Sequence, residues 1–123
     1  MQEMLEAIGN KLSGNVQYGQ IPDKPDNVTV LNFYGGNTPT RSLGKAKPTV
    51  REPYFQVRVR NTSYFNCIDI IDKHIEILES ISGEYGHKKI TKITQNGDII
   101  PLGRDSKNRY EFTINFIIQI DNI

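Results

Sequence analysis

Two histidines, one cysteine and a row of carboxylates are the side chains of this 123-residue sequence able to act as metal ligands, nucleophiles or acid–base groups. Metal binding needs several such groups at ligand spacing, and neither His74 nor His87 has a second histidine or a cysteine placed that way. His74 lies beside Lys73 on the polar side of a helix-patterned segment and reads as a surface histidine. His87 stands in a polar turn before Lys88 and Lys89 and reads the same way. Cys67 falls next to the apolar stripe of that segment, where a small buried thiol is expected. Asp69, Asp72, Glu76 and Glu79 recur at steps of three and four residues. That spacing could hold a cation or pair two carboxylates, but a solvated helix face explains it more simply. No catalytic residue, metal ligand or cofactor site is assigned.

Phosphate chemistry fares no better. Gly35-Gly36-Asn37-Thr38 lacks a following Gly-Lys-Ser/Thr and a helix to receive the anion. Arg41, Lys45, Lys47 and Arg51 make the stretch basic, yet no aromatic side chain interleaves them as single-strand binding requires. The stretch reads either as a solvated loop or as a segment ordered by a partner.

These residues must be positioned by a short list of elements. Met4, Leu5, Ile8 and Leu12 predict a short amphipathic helix over residues 3–12. Asn27 to Tyr34 has strand composition in Val28, Val30, Leu31, Phe33 and Tyr34. Residues 35–52 predict a long loop, a feature that in small domains is commonly functional. From Pro53, Phe55, Val57 and Val59 alternate with Tyr54, Gln56, Arg58 and Arg60, the pattern of a half-buried strand. Asn61-Thr62-Ser63 then caps a helix predicted over residues 63–81, with Phe65, Ile68, Ile71, Ile75 and Leu78 as its core stripe. Asn96-Gly97 predicts a two-residue hairpin between strands at 88–95 and 98–102, with Pro101 marking an edge. Residues 109–121 alternate throughout, which predicts a strand of about 40 Å, long enough to bend or to project beyond its own domain.

The resulting expectation is a single domain over residues 1–123 of the α+β class. In it an antiparallel or mixed β-sheet is packed on one face by a long amphipathic α-helix, with a short N-terminal helix and a β-hairpin. Composition agrees with a single globular domain, at 37% hydrophobic and 24% charged residues. Fifteen Lys and Arg against fourteen Asp and Glu argue against a dedicated nucleic-acid binder. No apolar run reaches the ~18 residues of a membrane span, and the first residues lack the pattern of a secretory signal. The outward strand positions Tyr54, Arg58, Arg60, Thr113, Asn115 and Ile117 fit either an oligomer interface or an ordinary amphipathic sheet.

Pro53-Tyr54-Phe55-Gln56-Val57-Arg58-Val59-Arg60 with the helix after it, Pro101-Leu102-Gly103-Arg104-Asp105, and Arg109-Tyr110-Glu111-Phe112-Thr113-Ile114-Asn115-Phe116 resemble the minor capsid or tail terminator proteins of long-tailed bacteriophages. The resemblance covers the chain in element order. It implies a virion structural protein without catalysis, acting at the head–tail joint and assembled in the host cytoplasm. Such a subunit would form a homo-hexameric ring, cap the tail tube, dock the head connector and let DNA pass through its lumen. The subunit or partner interface is then expected among Arg41, Lys45, Lys47, Arg51, Tyr54, Arg58, Arg60, Arg104, Arg109 and Ile117. A head-completion protein fits the same motifs. A small nucleic-acid-binding module using the basic stretch 41–51 with Arg58 and Arg60 is the alternative from another class, and a small enzyme is a third.

Overall fold

In the computed structural model, residues 2–12, 14–40, 50–85 and 88–122 are described, and the side chains of 37–40 and 122 are not. The chain runs α1 (Gln2–Lys11), β1 (Val16–Tyr18), β2 (Val28–Thr40), β3 (Val50–Asn61), α2 (Tyr64–Glu79), β4 (Gly83–Tyr85), β5 (Lys88–Gln95), β6 (Ile100–Arg104) and β7 (Tyr110–Asn122). All seven strands join one sheet in the order β1-β2-β3-β7-β5-β4, with β6 also on β7. The β1–β2 pair is parallel.

The expected α+β layering is corrected here. Half of the chain is strand, the sheet curls into a half-barrel, and its two helices are short, so this is not a long helix laid over a sheet. Two causes are visible. Strand β2 continues through Gly35 and Gly36 to Thr40, and β3 begins at Val50, where a loop over 35–52 is expected. A bulge between Phe33 and Gly35 absorbs the glycines into the ladder. At Gly36, φ is +153° and a Cβ would lie 2.7 Å from both the Glu52 carbonyl oxygen and the Pro53 Cα, so close strand approach requires glycine.

Strand β7 organises the sheet. Nearly its whole length runs against β3 on one side, from Asn61↔Tyr110 to Val50↔Asp121. On the other side β6 pairs with its first residues and β5 with its last. The long strand therefore does not project from the domain, because two shorter strands placed end to end cover its second edge. That arrangement also overturns the Asn96-Gly97 hairpin. Strands β5 and β6 both run antiparallel to β7, end to end along its one edge, and so do not fold back on each other as a hairpin. Asn96 and Gly97 instead form the corner between them, pinned by the Asn96 N–H donating to the Asn115 carbonyl. The hairpin lies between β6 and β7, where Asp105 accepts from the backbone N–H groups of Lys107 and Arg109 and Asn108 takes φ +60°.

One face of the sheet carries Phe55, Val57 and Val59 opposite Phe116, Ile114 and Phe112. The Phe55 and Phe116 rings stack at 5.2 Å between centroids in the middle of the core. Helix α2 packs against β3, β5 and β7. It starts at Ser63, whose hydroxyl accepts from the Asn66 N–H. Its buried residues are Cys67, Ile71, His74 and Leu78, so the helix is turned relative to the expected stripe. At 3.6 residues per turn Phe65 lies roughly 160° from Cys67, on the acidic side, and is 77% exposed.

Candidate interaction surfaces

The alternation that buries Phe55, Val57 and Val59 sends Tyr54, Gln56, Arg58 and Arg60 to the other face, opposite Ile117, Asn115, Thr113 and Glu111. This face is polar and cross-linked. Arg58 grips Glu111 through two 3.0 Å bonds from one guanidinium nitrogen. Gln56 donates to Asn115 at 3.2 Å. The Tyr34 and Tyr54 rings lie 5.6 Å apart. From the β5–β6 corner, the Asn96 amide donates to the Tyr34 hydroxyl at 3.4 Å. Two strands, β3 and β7, lie between those residues. Side chains standing perpendicular to a flat sheet would not meet across them, so this face is the inside of the curl.

At one end of the face two buried arginines organise a loop. Arg60 and Arg109 are 3% and 5% exposed. Arg60 donates to the carbonyls of Asp23, Pro25 and Asp26. Arg109 donates to the Asp23 carbonyl, to the carboxylates of Asp23 and Asp26, and to Asp105 within its own hairpin. The exposed Lys107 closes the cluster on Asp23 at 2.7 Å. The guanidinium fork suits this work, offering five donors in fixed geometry to a chain of carbonyls. Burial, with the neighbouring Arg109 charge, pulls the Arg60 pKa down. Burial also opposes the Arg109 cation, but the bonds and charge of Asp105 and then Asp26 reverse it, and its pKa stands above the usual value. Lys107 holds the Asp23 carboxyl below its usual range, and the Arg109 N–H does the same for Asp105.

The two remaining chemical candidates are sealed inside. His74, expected at the surface, is fully buried, with Nε2 2.9 Å from the Thr29 hydroxyl on β2 and no partner at Nδ1. Desolvation lowers its pKa to about 4. Cys67 is buried and its thiol is raised to about 11, first by desolvation and then by the Glu111 charge, which makes it a poor nucleophile. A pocket bounded by Asn15, Asn27, Thr29, Arg60 and Asn61 measures about 60 Å³, against the ~300 Å³ at which small-molecule sites begin. Among the described residues no group of three His, Cys, Asp or Glu is placed to hold a metal, and no helix is long and apolar enough to cross a membrane.

Of the expected interface residues, Tyr54, Arg58 and Ile117 meet on the inner face, where Tyr54 pairs with Ile117. Arg51 is half-buried on β3, opposite Ile120. Arg60 and Arg109 turn inward to the loop clamp. Arg104 is exposed, with its guanidinium 5.9 Å from the centre of the Tyr110 ring. Arg41, Lys45, Lys47 and His87 lie outside the described residues. Two of the cations on which a nucleic-acid module would draw, Arg58 and Arg60, are thus engaged by the chain's own acceptors. Sequence reasoning missed an aromatic ridge at the start of α2. There Tyr64 contacts Phe65, Tyr110 and Phe112 edge-on at 5.4 to 5.6 Å. The Tyr64-Phe65 doublet was the available signal, since adjacent helical residues point roughly 100° apart and the two rings present different sides of the helix.

Comparison with known families returns one whose description is bacteriophage tail terminator protein, matched over residues 4–122. No curated protein matches the chain.

Proposed function

The chain belongs to the bacteriophage tail terminator family, and from that premise we propose that copies of it close into a hexameric ring that caps the tail tube and docks the head connector. The family is structural rather than enzymatic, and the chain is accordingly a component of the phage tail that works through other head and tail proteins. The observation that carries the ring reading is the family match, which spans all but the first three residues and the last one. In this reading the chain acts as one domain, without catalysis or a cofactor, is assembled in the host cytoplasm, and leaves a lumen through which DNA passes.

Two features support it. A sheet of this order has lateral edges on opposite sides, with β1 covering only Thr29 to Leu31 of β2 and β6 lying outermost against the start of β7. Opposite edges are what a repeated head-to-tail contact around a closed axis uses. The formal charge of +1 also suits a lumen through which DNA slides, since tight phosphate binding would need many uncompensated cations. Sedimentation of the purified protein, alone and with tail tubes, tests the proposal. A hexamer in either condition is expected, and a monomer in both refutes the ring.

A further inference from the structure

We propose that the basic segment 41–49 of one copy docks on the acidic outer face of α2 of the next. This rests on the ring reading above and adds a contact to it. At about 100° per residue, Phe65, Asp69, Asp72, Glu76 and Glu79 fall within about 40° of one line along the helix. All five are exposed, on the side opposite the buried line through Cys67, Ile71, His74 and Leu78. Among the described residues none of the four carboxylates has an ion-pair partner, and Lys73, the lysine of the helix itself, pairs with none of them. Like charges three and four residues apart repel and weaken a helix, a cost that a cationic partner removes. Phe65, 77% exposed at the head of the row, offers a ring face that a cation also favours.

The chain carries its own counterpart to this face. Residues 41–49 hold Arg41, Lys45 and Lys47 and no carboxylate, and Arg51 follows. The rest of the chain is left with twelve Lys and Arg against fourteen Asp and Glu, so the segment and the body of the subunit have opposite sign. Reach places the contact between copies. The segment leaves β2 at Thr40 and re-enters β3 at Val50, two residues that pair in the ladder. Running out and back, it extends at most about five residues, or ~17 Å, from that pair. The Cys67 thiol of α2 donates to the Val59 carbonyl, and Val59 stands about 30 Å along β3 from Val50 at ~3.3 Å per residue. Asp69 lies only ~3 Å of helical rise past Cys67, and Phe65 the same distance before it. The head of the row is therefore out of range of the chain's own segment and open to a neighbour's. Two different surfaces, a segment on one copy and a helix face on the next, make the head-to-tail contact that a ring repeats.

The test uses the full chain, in the condition under which wild type assembles, carrying Asp69→Lys with Asp72→Lys on α2 or Lys45→Glu with Lys47→Glu in the segment. Asp69 and Asp72 are exposed, so circular dichroism and melting of the helix variant should match wild type. In sedimentation each double variant should need at least about tenfold more protein to assemble, because like charges then face each other at every contact. A chain carrying all four reversals should assemble as wild type does, since a reversed segment meets a reversed helix at each contact. If the helix variant fails to fold, Asp72→Lys with Glu76→Lys replaces it. Double variants that assemble at wild-type concentrations, or a fourfold variant no better than either, overturn the docking while leaving the ring intact. Wild-type protein that remains monomeric even on tail tubes overturns the ring itself.

Discussion

His74 should make the subunit sensitive to mild acid, and the effect can be sized. The ring is fully buried between α2 and β2, and desolvation lowers its pKa from the ordinary 6.5 to about 4. A depressed histidine means that the unfolded chain binds the proton more readily. Stability therefore rises with pH through this window and is lost as pH falls from the unfolded value towards the folded one. The gap between 6.5 and about 4, at ~1.36 kcal/mol per pK unit, limits the loss to about 3 kcal/mol below pH 4. At pH 4.5 linkage gives about 2.5 kcal/mol, and at pH 7.5 almost none. Asp23 and Asp105 hold their protons off to still lower pH, so their contribution to acid unfolding falls below this window. Urea unfolding at pH 7.5 and pH 4.5, with wild type beside His74→Gln, reads the effect. Glutamine can still bond the Thr29 hydroxyl but does not titrate, so the variant should lose about 2.5 kcal/mol less than wild type between the two pH values. Equal losses in both proteins would refute the assignment of a neutral, buried His74.

Arg58→Met should cost about 2 kcal/mol, because it leaves the Glu111 carboxylate, on a 9% exposed residue, without its ion-pair partner. Adding Glu111→Leu should recover most of that loss in a double-mutant cycle, since the penalty comes from the uncompensated charge rather than from the pair. Gly36→Ala should destabilise the outer end of the β2–β3 ladder, at a cost of about 1–3 kcal/mol. Hydrogen exchange of the Tyr54 and Phe55 amides reports it locally, and unchanged protection would count against close strand approach there.

Much of the element content was legible in the sequence, because local signals determine it. Ser63 starts a helix wherever the chain folds, since its hydroxyl satisfies an N–H the helix cannot. Alternation from Pro53 to Arg60 separates an apolar from a polar face at any tertiary placement. The family motifs, too, are runs of consecutive residues. Partners were not legible. Asn96-Gly97 has the local chemistry of a hairpin, and only the length of β7, able to take β6 and β5 in succession, turned it into a corner. The apolar spacing of residues 65, 68, 71, 75 and 78 is a sound helical stripe, yet the sheet took the neighbouring line through Cys67, Ile71, His74 and Leu78. His74 could enter because Thr29 on β2 offers a hydroxyl, a partner 45 residues away.

The same division holds for the surface. Sequence by itself determined a nearly neutral chain with an aromatic doublet and a set of arginines, for these are properties of composition and order. Tertiary structure decided which arginines are free to meet a partner. Arg60 and Arg109 are drawn inward because the 23–26 loop presents several backbone carbonyls and two carboxylates within reach of their guanidinium groups, whereas Arg104 stays outside over Tyr110. It also decided that Phe65 is exposed and which strands form the margins of the sheet. Strand order sets those margins, and strand order is a product of pairing between segments far apart in the chain.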